Sequence, residues 1–229
     1  MIPKVIHYCW FGRNPKSPLI ERCIKSWHEK LPDFEIREWN EDNFDVSAHK
    51  YTKAAYSDKK WAFVSDYARL KILEEHGGIY LDTDMFVLRD MAPLLGDELF
   101  IGKEDDVYVN AAILGSVPAH PFLKSLIQKY ELLVERVPIP IVATNLLKEN
   151  TFNIKVYDKE YFYPFSSETI KNFDGSNAPA QSYAVHLWDY SWGNPVVKWA
   201  KKIGVYSIVK NLFGILGIKK VLKKVFNLE

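Results

Sequence analysis

The chain has 229 residues, of which 48% are hydrophobic and 26% charged, and its formal net charge is +1. This length and composition are ordinary for a soluble α/β domain with a sizeable core. Cys9 and Cys23 are the only cysteines, which excludes a disulfide-dense scaffold and a four-cysteine zinc site. No signal peptide and no apolar run of about 20 residues is visible, so the expected location is the cytosol, without a membrane-spanning segment.

The charge is unevenly distributed along the chain. Residues 196–229 hold eight lysines against a single acid, Glu229, so the remainder carries a net negative charge. Apolar residues recur at helical spacing over residues 205–226, and lysines take much of the opposite face. This pattern predicts a basic amphipathic tail suited to an anionic membrane surface at the inner face of the cell membrane. A helix packed on the domain with a solvated basic face is the alternative.

The first 39 residues predict a β-α-β unit. Residues 4–11 form a largely apolar run that Gly12 ends, as expected of a buried strand. A helix with an apolar stripe follows over Pro18–Lys30, and residues 34–39 alternate like a second strand. This succession indicates a parallel sheet covered by helices.

The central region predicts a helix, a short strand and an acidic triplet. Residues 60–76 have an apolar helical face, and Gly77-Gly78 supply the end of that helix. Residues 79–81 form a short buried strand, after which Asp82-Thr83-Asp84 falls where α/β sheets bind ligands. Two carboxylates one residue apart suit Mn²⁺ or Mg²⁺ and a diphosphate. From spacing alone, two solvated acids in a loop are an equally good interpretation.

The later region predicts strands at residues 98–102 and 110–115, a helix over 121–135 and a late strand at 183–188. No internal repeat or low-complexity linker interrupts the chain. The simplest organisation is one catalytic domain over residues 1–195 and the basic tail over 196–229. Nucleic-acid binding is excluded as an interpretation, because the basic residues are confined to that tail and lack an aromatic stacking pattern.

Four segments together carry a family resemblance: residues 65–69 (SDYAR), 77–84 (GGIYLDTD), the opening 2–12 and the late 186–192. In order and spacing they resemble the DXD-containing sugar-transferase family of bacterial capsule and lipopolysaccharide glycosyltransferases. That family includes fungal α-1,6-mannosyltransferases and shares its core with the large glucosylating toxins. The resemblance covers residues 1–193. It implies a GT-A type nucleotide-sugar-binding fold, with a central, mostly parallel sheet flanked by helices, a divalent metal, and retention of anomeric configuration.

The resemblance implies roles for the two acidic pairs. Asp84 corresponds to the direct metal ligand, and Asp82 to the carboxylate that reaches ribose, sugar and metal-bound water. Asp66 and Arg69, three residues apart on one helical face, correspond to the pair that grips the hydroxyls of the donor hexose. A simple intrahelical ion pair is the alternative for Asp66 and Arg69.

Other residues enter the expected site through the same resemblance. Trp10 corresponds to the aromatic that stacks on the nucleobase, His186 to a further metal or diphosphate ligand, and Trp192 to the segment that closes over the diphosphate. Core packing is the alternative for Trp10, and a buried hydrogen-bonded histidine is the alternative for His186. The weaker donor-site candidates are Cys9, Asn40, Ser65, Tyr80 and Asn110. Cys9 also fits a small buried hydrophobe, and His7 is expected to be structural.

Together these expectations predict the transfer of a hexose from a nucleoside diphosphate sugar to a glycan hydroxyl. The family implies uridine as the base of the donor. The resemblance suggests capsular or cell-surface polysaccharide synthesis, with lipid-linked glycans among the acceptors. No carboxylate nucleophile can be named from the sequence, and the family instead suggests that a leaving phosphate oxygen helps to take the acceptor proton. Two alternatives stay open: a module that binds nucleotide sugar or glycan without transferring it, and a glucosyltransferase that modifies proteins.

Overall fold

A computed structural model describes residues 1–189, which form a six-stranded sheet with helices on both faces and a separate two-stranded sheet. Trp192 and the predicted tail lie outside the described residues. The eight strands are β1 (Val5–Cys9), β2 (Glu35–Trp39), β3 (Gly78–Leu81), β4 (Met85–Val87), β5 (Leu99–Lys103), β6 (Val109–Ser116), β7 (Lys155–Tyr157) and β8 (Ala184–His186).

The six-stranded sheet is mostly parallel. Its strand order is β2-β1-β3-β6-β5-β7, and the pairs β1–β2, β1–β3 and β5–β7 are parallel. Only β6 runs in the opposite direction, because it is antiparallel to both β3 and β5. The predicted fold class is therefore confirmed. The small sheet pairs β4 with β8 in antiparallel register.

Five α-helices cover the sheet in the described part of the chain: α1 (Pro18–Lys30), α2 (Lys50–Ser57), α3 (Trp61–His76), α4 (Pro121–Leu132) and α5 (Ile139–Glu149). Helix α1 begins as its sequence dictates, since the Ser17 side chain accepts a hydrogen bond from the Ile20 N–H and Pro18 occupies the first turn. Shorter 3₁₀ helices lie at Ala92–Gly96, Lys159–Tyr161 and Ile170–Asn172.

Helices α2 and α5, strands β4 and β7 and the 3₁₀ helices were not predicted, and one helix is shorter than expected. Helix α4 ends at Leu132, not near residue 135. Helix α5 has Pro140 in its first turn and contains the β-branched residues Val142 and Thr144, which weaken a helical signal. Helix α2 and strand β7 span only eight and three residues, too few for a clear periodic pattern.

Gly77 and Gly78 join helix α3 to strand β3 in conformations that other residues rarely adopt. Their φ angles are +65° and +98°. A Cβ at Gly78 would lie 2.7 Å from the Val5 carbonyl oxygen, and one at Gly77 would lie 2.7 Å from Pro118. The two glycines therefore let the helix turn directly into the strand that leads to the acidic triplet.

The core has two parts, one on each face of the main sheet. Ile79 and Leu81 face the part that includes Trp27 of α1, whereas Tyr80 faces the part built with α3, α4 and α5. This alternation is the expected period of two in a strand that is buried on both faces. Trp27 also donates a hydrogen bond from Nε1 to the Met85 carbonyl oxygen at 2.7 Å, which joins α1 to the start of β4. Among residues 1–189, no helix has the length and apolar character needed to cross a bilayer.

His7 is a fully buried histidine whose two ring nitrogens both have partners. Its Nδ1 accepts a hydrogen bond from Trp39 Nε1 at 3.0 Å, so its Nε2 carries the proton and lies 3.0 Å from the Gly77 carbonyl oxygen. Burial lowers the pKa of His7 from 6.5 to about 4. The neutral ring thus ties strands β1 and β2 to the end of helix α3.

We expect His7 to make the fold acid-sensitive. Because the pKa of His7 is about 4 in the folded chain and 6.5 when unfolded, the unfolded chain binds more protons between these values. Stability is therefore lost as the pH falls from 6.5 towards 4, by on the order of 1 kcal/mol per pH unit. Urea unfolding at pH 7 and pH 5 measures this slope, which His7→Gln should reduce. If stability changed with pH equally in His7→Gln and in the unchanged chain, His7 would not be the cause of the acid sensitivity. His28→Gln, which changes an exposed histidine, is the control and should leave this pH dependence unchanged.

Candidate active site

One edge of the main sheet collects most of the predicted site residues. Strands β1, β2, β3 and β5 run in the same direction, so their carboxyl ends meet at this edge. Asp82 comes directly after the last residue of β3, and the first residues of the reversed strand β6 reach the same edge. Ligands of open α/β sheets bind at such an edge.

A tight turn brings the two carboxylates of the triplet to the same side. The Met85 N–H donates to the Asp82 carbonyl oxygen at 2.9 Å, and the Asp82 N–H donates to the Ala112 carbonyl oxygen at 2.7 Å. These bonds fix the triplet against strand β6 on one side and strand β4 on the other. The turn is the geometry that an acidic pair with this spacing needs to hold a single ion.

His186 reaches the triplet from strand β8, about one hundred residues further along the chain. It stands opposite Met85 in the β4–β8 ladder, and the next residue, Leu187, donates its N–H to the Asp84 carbonyl oxygen at 2.9 Å. One potential ligand atom from each of Asp82, Asp84 and His186 lies within 4.8 Å of the others. The small sheet therefore completes a three-residue cluster.

The chemistry of this cluster fits Mn²⁺ or Mg²⁺. Two carboxylates supply hard oxygen ligands, and an imidazole nitrogen is accepted by Mn²⁺. His186 Nδ1 is buried and has no hydrogen-bond partner among residues 1–189, so the imidazole has a nitrogen that a ligand could satisfy. Asp82, Asp84 and His186 are thus the residues that would hold the ion.

The charges in the cluster are coupled. Burial raises the pKa of Asp82, and the neighbouring Asp84 raises it further, against the effect of Arg69. Burial would also raise the pKa of Asp84, but His186, 3.2 Å away, and the Asp189 N–H outweigh it, so this pKa ends below its usual value. Conversely, Asp84 raises the pKa of His186 despite burial. Asp84 and His186 therefore stabilise each other's charged forms, while Asp82 is the carboxylate of the cluster whose ionisation is opposed.

Arg69 connects the metal cluster to helix α3. Its Nη2 lies 3.0 Å from Asp66 Oδ1 and 3.2 Å from Asp82 Oδ1, and its side chain is only 4% exposed. Its Nε donates to the Ser65 carbonyl oxygen and its Nη1 to the Ala111 carbonyl oxygen, at 3.1 Å and 2.8 Å. The contacts of Arg69 therefore extend beyond an intrahelical ion pair with Asp66, because Arg69 also pairs with Asp82, which follows strand β3.

Asp66 completes this network from the first half of α3. Its Oδ2 accepts a hydrogen bond from the Ile139 N–H at 3.4 Å, at the start of helix α5. Burial raises the pKa of Asp66 to about 7, and the charge of Asp82 adds to the rise while that of Arg69 opposes it. Such a group can exchange hydrogen bonds with a hydroxyl-bearing ligand either as donor or as acceptor.

Tyr80 and Cys9 lie beneath this network. The guanidinium carbon of Arg69 is 4.4 Å from the centre of the Tyr80 ring, and the Tyr80 hydroxyl donates to Asp82 Oδ1 at 3.1 Å. Cys9 is buried beside Tyr80 and Arg69, and burial raises the pKa of its thiol to about 12. The surroundings of Cys9 are therefore those of a small buried hydrophobic residue. Among the described contacts, Ser65 joins the network through its backbone carbonyl oxygen.

Trp10 and Asn40 lie at the same sheet edge but make other contacts. Trp10 Nε1 donates to the Asn14 carbonyl oxygen at 2.7 Å, and Lys16 Nζ is 5.6 Å from the centre of its ring. Asn40 donates to Glu38 and accepts from the Asp42 N–H. Neither residue bonds to the acidic cluster, so a role for them requires a ligand that extends along the edge.

Asn110 and the unpredicted Glu104 flank the cluster on the β5 side. Asn110 Oδ1 accepts from the Ala112 N–H, and its Nδ2 donates to Glu104 Oε2 at 2.8 Å. Burial raises the pKa of Glu104, and its charge acts on His186. An acid directly after a buried strand at the carboxyl edge was the signal that could have identified Glu104 from the sequence.

The architecture and the acidic turn define the GT-A type of α/β fold. Residues 17–101 match the model of the family described as "Glycosyltransferase sugar-binding region containing DXD motif", which confirms the resemblance recognised in the sequence. The fold is also similar to a solved structure named PaToxG Glycosyltransferase, with a TM-score of 0.53, 19% identity and coverage of 65% of this chain and 69% of that one.

Two named relatives agree with this family. The chain is 26% identical to alpha-1,4-N-acetylglucosaminyltransferase of Homo sapiens over 69% of this chain and 51% of that protein. It is 24% identical to inositol phosphoceramide mannosyltransferase 2 of Schizosaccharomyces pombe, over 91% of this chain and 64% of that protein. The chain thus spans about half the length of the human relative.

Proposed function

We propose that this chain is a metal-dependent, retaining glycosyltransferase that moves a hexose from a nucleoside diphosphate sugar to a hydroxyl of a glycan. One observation carries the proposal: the buried Asp66–Arg69–Asp82 network is continuous with the Asp82–Asp84–His186 cluster. A site of this kind has one part suited to sugar hydroxyls and another suited to a metal-bound diphosphate. The family match over residues 17–101 supports the same activity.

The donor-sugar side is supported by unused capacity in Asp66 and Arg69. Four of the five N–H donors of Arg69 are directed to Ser65, Ala111, Asp66 and Asp82, which leaves one for a ligand. The Asp66 carboxylate has further acceptor sites, so the two side chains together can bind sugar hydroxyls. Their burial makes these bonds directional and excludes competing water. The Tyr80 ring and the Ala111 carbonyl oxygen hold Arg69 in place before a donor arrives.

The diphosphate side is supported by the acidic cluster. A divalent cation held by Asp82, Asp84 and His186 would supply charge stabilisation for a departing diphosphate. Without the cation, these acids would repel the phosphates. Arg69 offers further positive charge beside Asp82, and Trp10 offers an aromatic face further along the edge for a base, uridine by family resemblance.

The acceptor and the location are proposed at a coarser level. The fission yeast relative is named for a phosphoceramide acceptor, and a lipid-linked glycan is the matching choice here, in capsular or cell-surface polysaccharide synthesis. The basic amphipathic pattern of residues 205–229 suits an enzyme that works in the cytoplasm at the inner face of the membrane. Deletion of residues 205–229 should lower binding to anionic liposomes, and undiminished binding would contradict this membrane role.

Thermal-shift measurements test the donor proposal directly. UDP-glucose, UDP-galactose, UDP-N-acetylglucosamine and GDP-mannose are each added with Mn²⁺ or with EDTA. A bound donor raises the unfolding temperature by mass action, so at least one UDP-sugar should do so with Mn²⁺ and fail with EDTA. No shift with any donor would contradict the proposal. A shift without release of UDP in the presence of glycan acceptors would favour the non-transferring module.

A further inference from the structure

The imidazole of His186 is packed between aromatic side chains. Its Nε2 pairs with Asp84 and its Nδ1 has no hydrogen-bond partner among residues 1–189, so within this part of the chain no hydrogen bond from outside the acidic cluster fixes the ring. The centre of the Trp188 ring lies 4.1 Å from that of His186, and the centre of the Tyr163 ring lies 5.8 Å away. A histidine that binds a metal is ordinarily held by a hydrogen bond at its other nitrogen. In this site, aromatic packing is the contact that can hold the imidazole at one angle.

The indole ring of Trp188 is itself anchored. Its Nε1 donates to the Phe165 carbonyl oxygen at 2.9 Å, and the ring packs against the part of the core that contains Met85. The centre of the Tyr163 ring is 6.4 Å from that of Trp188, so the rings of residues 163, 186 and 188 form one group. Rotation of the indole would break its bond to Phe165. The surface that Trp188 presents to His186 is therefore a fixed one.

The backbone of Trp188 adopts a conformation that a tryptophan rarely takes. Its φ is +55°, in the left-handed region, where a bulky residue persists only if the surrounding structure requires it. The residues on either side both bond to Asp84: the Leu187 N–H donates to its carbonyl oxygen at 2.9 Å, and the Asp189 N–H donates to its Oδ2 at 2.8 Å. A left-handed residue turns the chain so that nearby N–H groups converge in this way. The strained residue thus lies where the chain wraps around a carboxylate of the cluster.

We propose that Trp188 is a positioning residue of the metal cluster. Its indole ring sets the angle of the His186 imidazole, and its left-handed backbone directs the Asp189 N–H to the Asp84 carboxylate. This inference rests on the proposed metal-dependent function and extends it to a residue that offers no ligand atom, since an indole is a donor only. Loss of such support around a metal ligand ordinarily lowers metal affinity by about 10- to 100-fold.

Titration of the full chain with Mn²⁺ tests the role of the ring. Electron paramagnetic resonance of the free ion gives the Kd for Mn²⁺ without any nucleotide or turnover. Trp188→Asn removes the ring but keeps a residue that accepts the left-handed conformation, so we expect its Kd to rise about 10- to 100-fold. Trp188→Phe keeps an aromatic ring against His186, and its Kd should stay within about threefold of the unchanged chain.

A third substitution tests the role of the backbone. Trp188→Val lacks the ring and also resists the left-handed conformation, because valine is branched at Cβ. Its Kd for Mn²⁺ should therefore rise further than that of Trp188→Asn. If the asparagine variant does not fold, Trp188→Gly repeats the test, since glycine takes the same conformation without strain.

The matched control is Phe152→Asn. It removes a partly buried aromatic ring that packs on Phe122 in the other part of the core. Urea unfolding in EDTA reports the fold of each variant. The control should lose stability, as any loss of a packed ring does, and keep the Kd for Mn²⁺ of the unchanged chain.

The possible outcomes separate this inference from the proposed function. A Kd for Trp188→Asn within about threefold of the unchanged chain would overturn the role of the ring, as would an equal rise in Phe152→Asn. Equal Kd values for Trp188→Val and Trp188→Asn would overturn the role of the backbone. If the unchanged chain binds no Mn²⁺, the proposed metal dependence fails first, and the assignment of Trp188 falls with it.

Discussion

The Asp84→Asn protein is expected to lose its thermal response to Mn²⁺ and roughly 10³-fold of its turnover, while remaining folded. Asparagine keeps an oxygen that can accept from the Asp189 N–H, but it removes a charged ligand from the cluster with Asp82 and His186. A bound cation contributes several kcal/mol of charge stabilisation to a departing phosphate, and about 1.4 kcal/mol corresponds to tenfold in rate.

Two measurements on Asp84→Asn separate chemistry from folding. Circular dichroism and urea unfolding without metal report the fold, and titration with Mn²⁺ followed by UDP release reports the site. Asp33→Asn is the control, because it changes an exposed acid in the turn between α1 and β2. Unchanged turnover of Asp84→Asn with Mn²⁺ would exclude a role of this carboxylate in holding metal.

Arg69→Met is expected to lower both the free energy of unfolding and the activity. Arg69 is the positive partner of both Asp66 and Asp82, and methionine would leave these acids without it. Removing one partner of a buried ion pair costs about 3–5 kcal/mol, and the lower part of this range is expected because Asp82 is 29% exposed. Donor binding should be lost as well, since no guanidinium remains beside the site.

The variant Arg69→Lys and a surface control show whether the loss in Arg69→Met comes from the charge or from the shape of the guanidinium. Lysine keeps the charge but lacks the planar fork that reaches Asp66, Asp82 and the Ala111 carbonyl oxygen together, so part of the stability should return without donor binding. Arg37→Met breaks an exposed pair with Glu35 and should cost less than about 1 kcal/mol. Equal losses in Arg69→Met and Arg37→Met, measured by urea unfolding, would contradict a special role for the buried network.

The sequence predicted the parts of the fold with strong local signals. Helix α1 has an apolar stripe and a serine cap, and its predicted bounds, Pro18–Lys30, coincide with those in the structure. The acidic triplet was placed correctly because two glycines mark the junction before β3. Helix α5 escaped prediction because β-branched residues give it the composition of a strand, and its helical form depends on packing in the core.

The site was predictable as a set of residues but not as a connected network. Resemblance could nominate Asp66 and Arg69, yet only the folded chain brings Asp82 to the same guanidinium as Asp66. Glu104 has no motif around it and depends on the direction of β5 and on a partner, Asn110, six residues away. Such long-range geometry leaves no periodic trace in a single sequence.

The pairing of β4 with β8 has a consequence for how the protein acquires its activity. It joins Asp84 to His186 across about one hundred residues, through the Met85↔His186 pair and the Leu187 N–H. Closing so long a loop costs entropy that is recovered only when the intervening chain has packed. During synthesis, then, the proposed affinity for a cation should arise only after residue 187 has left the ribosome, so ion binding would report that the β4–β8 pairing has formed.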